Sequence, residues 1–425
     1  MQGNATGIKR PGEGMEQTLR QQAEYIISAA IGAVLPDAAV KRALEEVCFS
    51  GRVILVAAGK AAWQMAKAAS DCLGERIHKG IVITKYGHVK APIDGLVCLE
   101  AGHPVPDENS FAATEKALEM VSGLTEADSV LFLLSGGGSA LFEKPLVSGE
   151  ELQDITSQLL ACGADIVQMN TIRKRLSAVK GGRFAQSCYP AKVSSIVLSD
   201  IIGDPLDMIA SGPACADSST CRQAVEIAET YELKLSPKAA ACLQVETPKN
   251  LTNVTTRITG SVRELCRAAA EAAEKLGYEA AILTDRMDCQ AKEAGRYFAR
   301  IAKEHKDSGR KLAFIAGGET VVKLTGTGKG GRNQELTLAA AEEIRGMERV
   351  CIFSVGSDGT DGPTDAAGGY VDGDTALCLE QCGVDLRQVL RDNDAYHALQ
   401  KTGGLIITGP TGTNVNDVSV VLLAK

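Results

Sequence analysis

Short β-branched runs alternate along this chain with longer stretches of helical period. Residues 52–59 (RVILVAAG), 80–85 (GIVITK), 129–138 (SVLFLLSGGG), 192–200 (KVSSIVLSD), 279–285 (EAAILTD), 311–318 (KLAFIAGG) and 349–359 (RVCIFSVGSDG) read as strands, and a further apolar strand closes the chain. Most of these runs are apolar on both faces, as strands buried in a parallel sheet are. Helical segments lie between them. The clearest covers 149–162: Ser148 and Glu151 have capping-box spacing, Leu152, Ile155, Leu159 and Leu160 form one stripe, and Gly163 ends the helix. Alternation of this kind predicts an α/β protein with ligands beyond the carboxyl ends of its strands. Those ends carry Gly59, Gly136 to Gly138, Asp200, Gly317 and Asp358. Residues 241–260 show little helical period, and a domain boundary is expected within 245–255.

Composition narrows the reading. The 425 residues suit two or three domains at roughly 100–200 residues each. Lys and Arg number 45 against 53 Asp and Glu, and the net charge of −8 argues against a nucleic-acid partner. The 13 cysteines are scattered, without C-x-x-C, and read as reduced, mostly buried thiols of a cytoplasmic protein. No apolar run approaches the ~20 residues that span a bilayer, so no membrane association is expected. Residues 1–14 lack a signal-peptide core and read as a disordered tail.

Five stretches hold candidate chemistry. In AAGKAAWQMAKAA (57–69) a strand gives way to a helix with Lys60 in its first turn. A lysine there opposes the helix dipole unless an anion sits nearby; the alternative is a solvated surface lysine. In LLSGGGSALFEKP (133–145), Gly136, Gly137 and Gly138 let backbone amides converge as an anion nest, with Ser135 and Ser139 as hydroxyl donors, or they form only a tight turn. In MNTIRKRLSAVKGGRFA (169–185), Arg173 and Lys180 share a helix face and are candidates to meet a cleft, whereas Lys174 and Arg175 read as a solvated face.

LSDIIGDPLDMIASGP (198–213) places Asp200 and Asp204 four apart in a Gly/Pro loop. Such a pair suits Mg²⁺, which needs one or two carboxylates besides substrate phosphates; alternatively Asp200 takes a proton from a substrate hydroxyl. SVGSDGTDGPTDAAGG (354–369) crowds Asp358, Asp361 and Asp365 into a glycine loop, as Asx turns or as a polar site wall. Finally, TVVKLTGTGKGGRNQE (320–335) reads as a strand, a glycine loop with Lys329, Gly330 and Gly331, and a helix opening on Arg332, Asn333 and Gln334. Arg332 has the fork to grip phosphate or carboxylate. Together the nests, cations and aspartates predict a polyphosphate between two α/β lobes, the arrangement phosphoryl transfer requires.

The ordered stretches GKAAWQMA, EAGHPVPDENS, LLSGGGSAL, NTIRKRLSAVKGGRFA, SDIIGDPLDMIASGP, GGETVVKLTGTGKGGRNQELTLAAA, GSDGTDGPTDAAGG and TGPTGTNVNDV resemble the glycerate 2-kinases with a MOFRL domain, a family long named in places as hydroxypyruvate reductases. The resemblance runs from about residue 15 through nearly the whole chain. It implies a Rossmann-like parallel-sheet N-terminal domain (15–250) and a smaller α/β C-terminal MOFRL domain (251–425). It also implies transfer of the ATP γ-phosphoryl group to the 2-hydroxyl of D-glycerate with Mg²⁺, by a monomer or homodimer. The family's functional lysine falls on Lys60 and its functional arginine on Arg332. This chain departs from the family at Asp288-Cys289-Gln290 and at Ala214-Cys215-Ala216. Two rivals stand: NAD(P)H-dependent reduction of hydroxypyruvate, for which the early strand lacks G-x-G-x-x-G, and a non-catalytic sugar-phosphate binder.

Overall fold

Residues 18–425 are described in a computed structural model, and their strands form two six-stranded sheets. The tail expected at residues 1–14 lies outside the described residues. The first sheet contains β1 (Val53–Ala58), β2 (Ile77–Lys85), β3 (Leu96–Ala101), β4 (Ser129–Leu134), β5 (Lys192–Leu198) and β6 (Val254–Gly260). All its pairs are parallel and the order is β3-β2-β1-β4-β5-β6. This is the doubly wound order, in which the chain switches direction between β1 and β4 and leaves a crevice above their carboxyl ends. Every residue of β1 and β4 is buried, as expected of strands covered on both faces, whereas the run expected at 279–285 is largely exposed.

The second sheet contains β7 (Glu279–Met287), β8 (Leu312–Gly318), β9 (Val350–Gly356), β10 (Gly368–Asp372), β11 (Leu405–Ile406) and β12 (Asp417–Leu423). Its order is β11-β10-β9-β12-β8-β7; only β7 and β8 run parallel. The closing strand β12 is therefore central. Its first residue, Asp417, lies opposite Gly318 and Gly356, the last residues of β8 and β9. Three loop-bearing ends thus meet at one edge.

Several details depart from expectation. The boundary at 250 falls too early, because β6 pairs with β5 and the first sheet runs to Gly260. Its residues alternate Thr, Arg and Ile at half-exposed positions, so the run lacked an all-apolar signature. The helix Leu19–Ala33 also packs on the second lobe, where Ile26, Ile27 and Ala30 join a core with Phe353 and Val418. The helix Gly149–Ala161 forms as expected and Ser148 caps it, but Glu151 bonds Ser236 instead of closing the box, and Leu160 is exposed. The cysteines are all free, but only Cys188, Cys266 and Cys351 are fully buried. Among the described residues no single helix is long and apolar enough to cross a membrane.

Candidate active site

The switch point between β1 and β4 is where the first two motifs meet. Lys60 stands two residues before the helix Ala62–Leu73, outside the first turn where it was expected. Its backbone is fixed on both sides: the amide donates to Gly136 O (2.9 Å), and its carbonyl accepts from His88 Nδ1 (3.0 Å) and Thr84 Oγ1 (3.3 Å). Ser135 Oγ accepts from the Ala61 amide at 3.0 Å, so this hydroxyl ties the two turns together. The Lys60 side chain is exposed and forms no ion pair with any described residue. It passes over Gly137, where φ is +85° and a Cβ would press on Lys60 Cγ and on His103.

Asp200 follows β5 and lies against the same turn. A Cβ on Gly136 would collide with its Oδ2, so only glycine admits this carboxylate. Burial pushes the Asp200 carboxyl above its ordinary value; Lys60 opposes the shift, and Glu319 of the second lobe adds to it. Lys60, Gln64, His88, Ser135, Gly136 and Asp200 line a cavity of about 280 Å³, closed by Asp358, Gly412, Thr413 and Asn414 of the second lobe. That is near the lower limit of ligand sites, roughly 300 Å³. Gln64 Oε1 is buried and accepts no hydrogen bond from the described residues. Asp358 serves both expected roles: it lines the cavity and its Oδ1 accepts from the Thr360 amide (2.9 Å) as an Asx turn.

The glycine loop before Arg332 turns out to hold the protein itself. The amides of Thr325 and Gly326 donate to Asn393 Oδ1 (2.7 and 3.0 Å), that of Gly328 to Asp392 O (2.8 Å) and that of Lys329 to Asp394 Oδ1 (2.9 Å). Lys329 Nζ sits 4.0 Å from the Tyr396 ring centroid. At the start of the helix Arg332–Glu343 the anion is Asp361: it accepts from the amides of Asn333 (3.2 Å) and Gln334 (2.9 Å). This is an N-cap supplied from 28 residues away. Burial pushes the Asp361 carboxyl up to about 6 against the pull of those amides. Of the residues expected to bind phosphate here, Asn333 is engaged in this cap and Gly331 packs against the Asp361 carboxylate.

Arg332 itself clasps Asp417 with Nε (2.6 Å) and Nη2 (3.0 Å), while Nη1 meets Glu319 (2.8 Å). Burial disfavours the guanidinium, but Asp417 outweighs it and holds the Arg332 pKa above its ordinary value. Arg332 does not itself line the cavity. It reaches the site through Glu319, whose charge acts on Asp200.

The basic helix divides differently from the expected pattern. Lys174 and Arg175, read as solvated, are buried: Lys174 pairs with Asp217 (3.0 Å) and Arg175 donates to Ser219 Oγ (3.0 Å). Lys180 is wholly buried beside Glu143 (2.9 Å) and donates to Ser139 O (2.8 Å) and Phe142 O (3.2 Å). It anchors the backbone behind the triple-glycine turn and cannot face a cleft. Arg173 remains half-exposed, 3.4 Å from Ser139 O, with Nε unpartnered among the described residues.

Among the described residues no three His, Cys, Asp or Glu side chains gather into a metal cluster. Asp200 faces the cavity and Asp204 does not line it, although Asp204 Oδ1 is buried without a hydrogen-bond partner. The two carboxylates that line the cavity, Asp200 and Asp358, suit a Mg²⁺ whose other ligands are waters and substrate phosphates. Sequence reasoning left out Gln64, His88, Glu319, Asp417 and the loop 412–414. Asp417 and the loop 412–414 both lie in the glycine-rich stretch TGPTGTNVND before the final strand, which was the signal for them.

A doubly wound lobe whose switch-point crevice is roofed by a second α/β lobe defines a two-domain, small-molecule enzyme of the α/β class. Two family descriptions match: a domain of unknown function (DUF4147) over residues 22–244, and the MOFRL family over 312–417. The chain is 54% identical over 413 residues to the D-glycerate 2-kinase of Thermotoga maritima, covering 96% of this chain and 99% of that protein. It is 38% identical to the glycerate 2-kinase of Pyrococcus horikoshii, covering 96% and 98%. The crystal structure of a Thermotoga maritima glycerate kinase superposes with a TM-score of 0.92 over 96% of this chain and 99% of that one. The protein belongs to the glycerate 2-kinase family.

Proposed function

We propose that the protein is a cytoplasmic D-glycerate 2-kinase, transferring the ATP γ-phosphoryl group to the 2-hydroxyl of D-glycerate and releasing ADP. One observation carries the reading: an unpaired lysine, Lys60, and a half-buried carboxylate with a raised pKa, Asp200, face one cavity at the switch point of a doubly wound sheet. The lysine supplies positive charge where the migrating phosphoryl group spreads its own. Asp200 supplies a base more basic than an ordinary carboxylate for the attacking hydroxyl. Mg²⁺ bound with the nucleotide would neutralise phosphate charge, and with Asp200 acting as the base, Asp358 is the other cavity carboxylate placed to meet it. Ser135 keeps the Lys60 and Gly136 turns in register. Arg173, with a free Nε beside Ser139, is our candidate for the substrate's anionic end.

Hydride transfer is disfavoured by the same geometry. A dinucleotide site places an acidic residue about twenty positions after the glycine turn to hold the ribose. Here β2 ends in Thr84 and Lys85, and the turn after β1 is GKA. The test is to incubate the enzyme with ATP, Mg²⁺ and D-glycerate and locate the product phosphate by NMR. 2-Phosphoglycerate with stoichiometric ADP is expected. Oxidation of NADH by hydroxypyruvate without ATP would overturn the proposal.

A further inference from the structure

Arg332 is over-neutralised. Its single charge faces Glu319 and Asp417 directly, with Asp361 close behind. A third oxyanion cannot approach this guanidinium until a carboxylate leaves, because like charges in one partly buried site repel strongly. The two partners differ in how readily they leave. Asp417 is 2% exposed and held by two hydrogen bonds in a fork; Glu319 is 48% exposed and held by one. Water receives a half-exposed carboxylate at small cost, whereas a buried one must stay paired.

The Glu319 backbone is also fixed while its side chain is not. Its amide donates to Met287 O (2.7 Å) and the preceding Gly318 adopts φ +146°, with no room for a Cβ against the Met287 backbone. The β7 and β8 ends therefore fix where the carboxylate begins, and the cluster adjoins the cavity wall: a Cβ on Gly356 would lie 3.3 Å from Asp358 Oδ1, in the cavity, and 3.4 Å from Asp417 Oδ1, on Arg332.

We infer that Glu319 is a placeholder: its carboxylate occupies the outer nitrogen of Arg332, and a substrate oxyanion takes that position when Glu319 swings into water. Asp417 stays and keeps the guanidinium aimed. The shared chemistry is an oxyanion on a planar fork, which either the carboxylate of the acid substrate or the terminal phosphate of the nucleotide supplies. This inference rests on the reading of the crevice as a kinase site.

The experiment is calorimetric titration of full-length wild type, Glu319→Gln and Glu319→Ala with tripolyphosphate and, separately, with D-glycerate, at low salt. Glu75→Gln, on an exposed turn away from the site, controls for net charge. Removing Glu319 should tighten binding of one ligand severalfold, and the ligand that gains identifies the source of the oxyanion. The corresponding KM should fall, which a merely structural role would not produce. Unchanged or weaker binding of both ligands in two variants with native circular dichroism overturns the placeholder. A wild type that binds tripolyphosphate but does not phosphorylate glycerate counts against the kinase reading alone.

Discussion

The carboxylate of Asp361 rests on the Cα of Gly331, so close that a Cβ at that position would overlap it. The glycine that seemed to make room for a phosphate makes room for an internal aspartate. Gly331→Ala should therefore destabilise the protein by about 1–3 kcal/mol by displacing the cap of the helix Arg332–Glu343. Asp361→Ala should cost a similar amount, because two buried amides lose their acceptor. Urea unfolding of both variants checks this; midpoints equal to wild type would remove the cap from the account.

Asp361 also makes stability depend on pH. Its folded pKa is about 6 against an ordinary 3.8, so between these values the native state holds a proton that the unfolded chain has lost. Its contribution is fully present below the unfolded pKa and is lost as pH rises through about 6. Asp361→Asn removes this slope. The unfolding free energy of the variant, relative to wild type, should rise from pH 4 to pH 7. A constant difference contradicts the assignment.

Asp200 should set the acid limb of the pH–rate profile. A base works only as the carboxylate, and burial raises its pKa. Activity should therefore fall with decreasing pH at a point above the ordinary carboxylate value of roughly 4. Asp200→Asn should lose about two to four orders of magnitude in kcat. The residual rate should be flat over that range. An unaltered acid limb in the variant removes Asp200 from proton transfer.

Lys180 should matter through folding. It and Glu143 are both fully buried. Lys180→Met leaves an uncompensated buried carboxylate and should cost about 3–5 kcal/mol, whereas Lys180→Met with Glu143→Leu should recover much of it. Thermal denaturation of the single and double variants measures the difference, and a stable single variant contradicts the pairing.

The elements legible in the sequence were those whose signal is local. β1, β4, β5, β8 and β9 are apolar enough to read directly, and the turns after β1, β4 and β5 carry Lys60, Gly136 and Asp200 at the places a doubly wound sheet puts chemistry. The partner of each charged group was not legible. Arg332 finds Asp417 85 residues away, because β12 enters the centre of the second sheet, and Asn333 finds Asp361 28 away, in the loop between β9 and β10. A glycine loop before a helix predicts an anion equally well whether it comes from a ligand or from the chain. The basic run 173–175 misled for a related reason. Buried Asp217 neutralises Lys174 and lies beside Arg175, from a segment with no periodic signature.

The central claim is that Lys60 supplies the charge that carries phosphoryl transfer in this crevice. Its side chain is exposed and bears no structural contact with another charge, so Lys60→Ala should leave thermal stability within error of wild type. The direct measurement is kcat/KM for ATP-dependent phosphorylation of D-glycerate by Lys60→Ala. A loss of about 10²–10³ is expected. Turnover within a factor of two of wild type would contradict it.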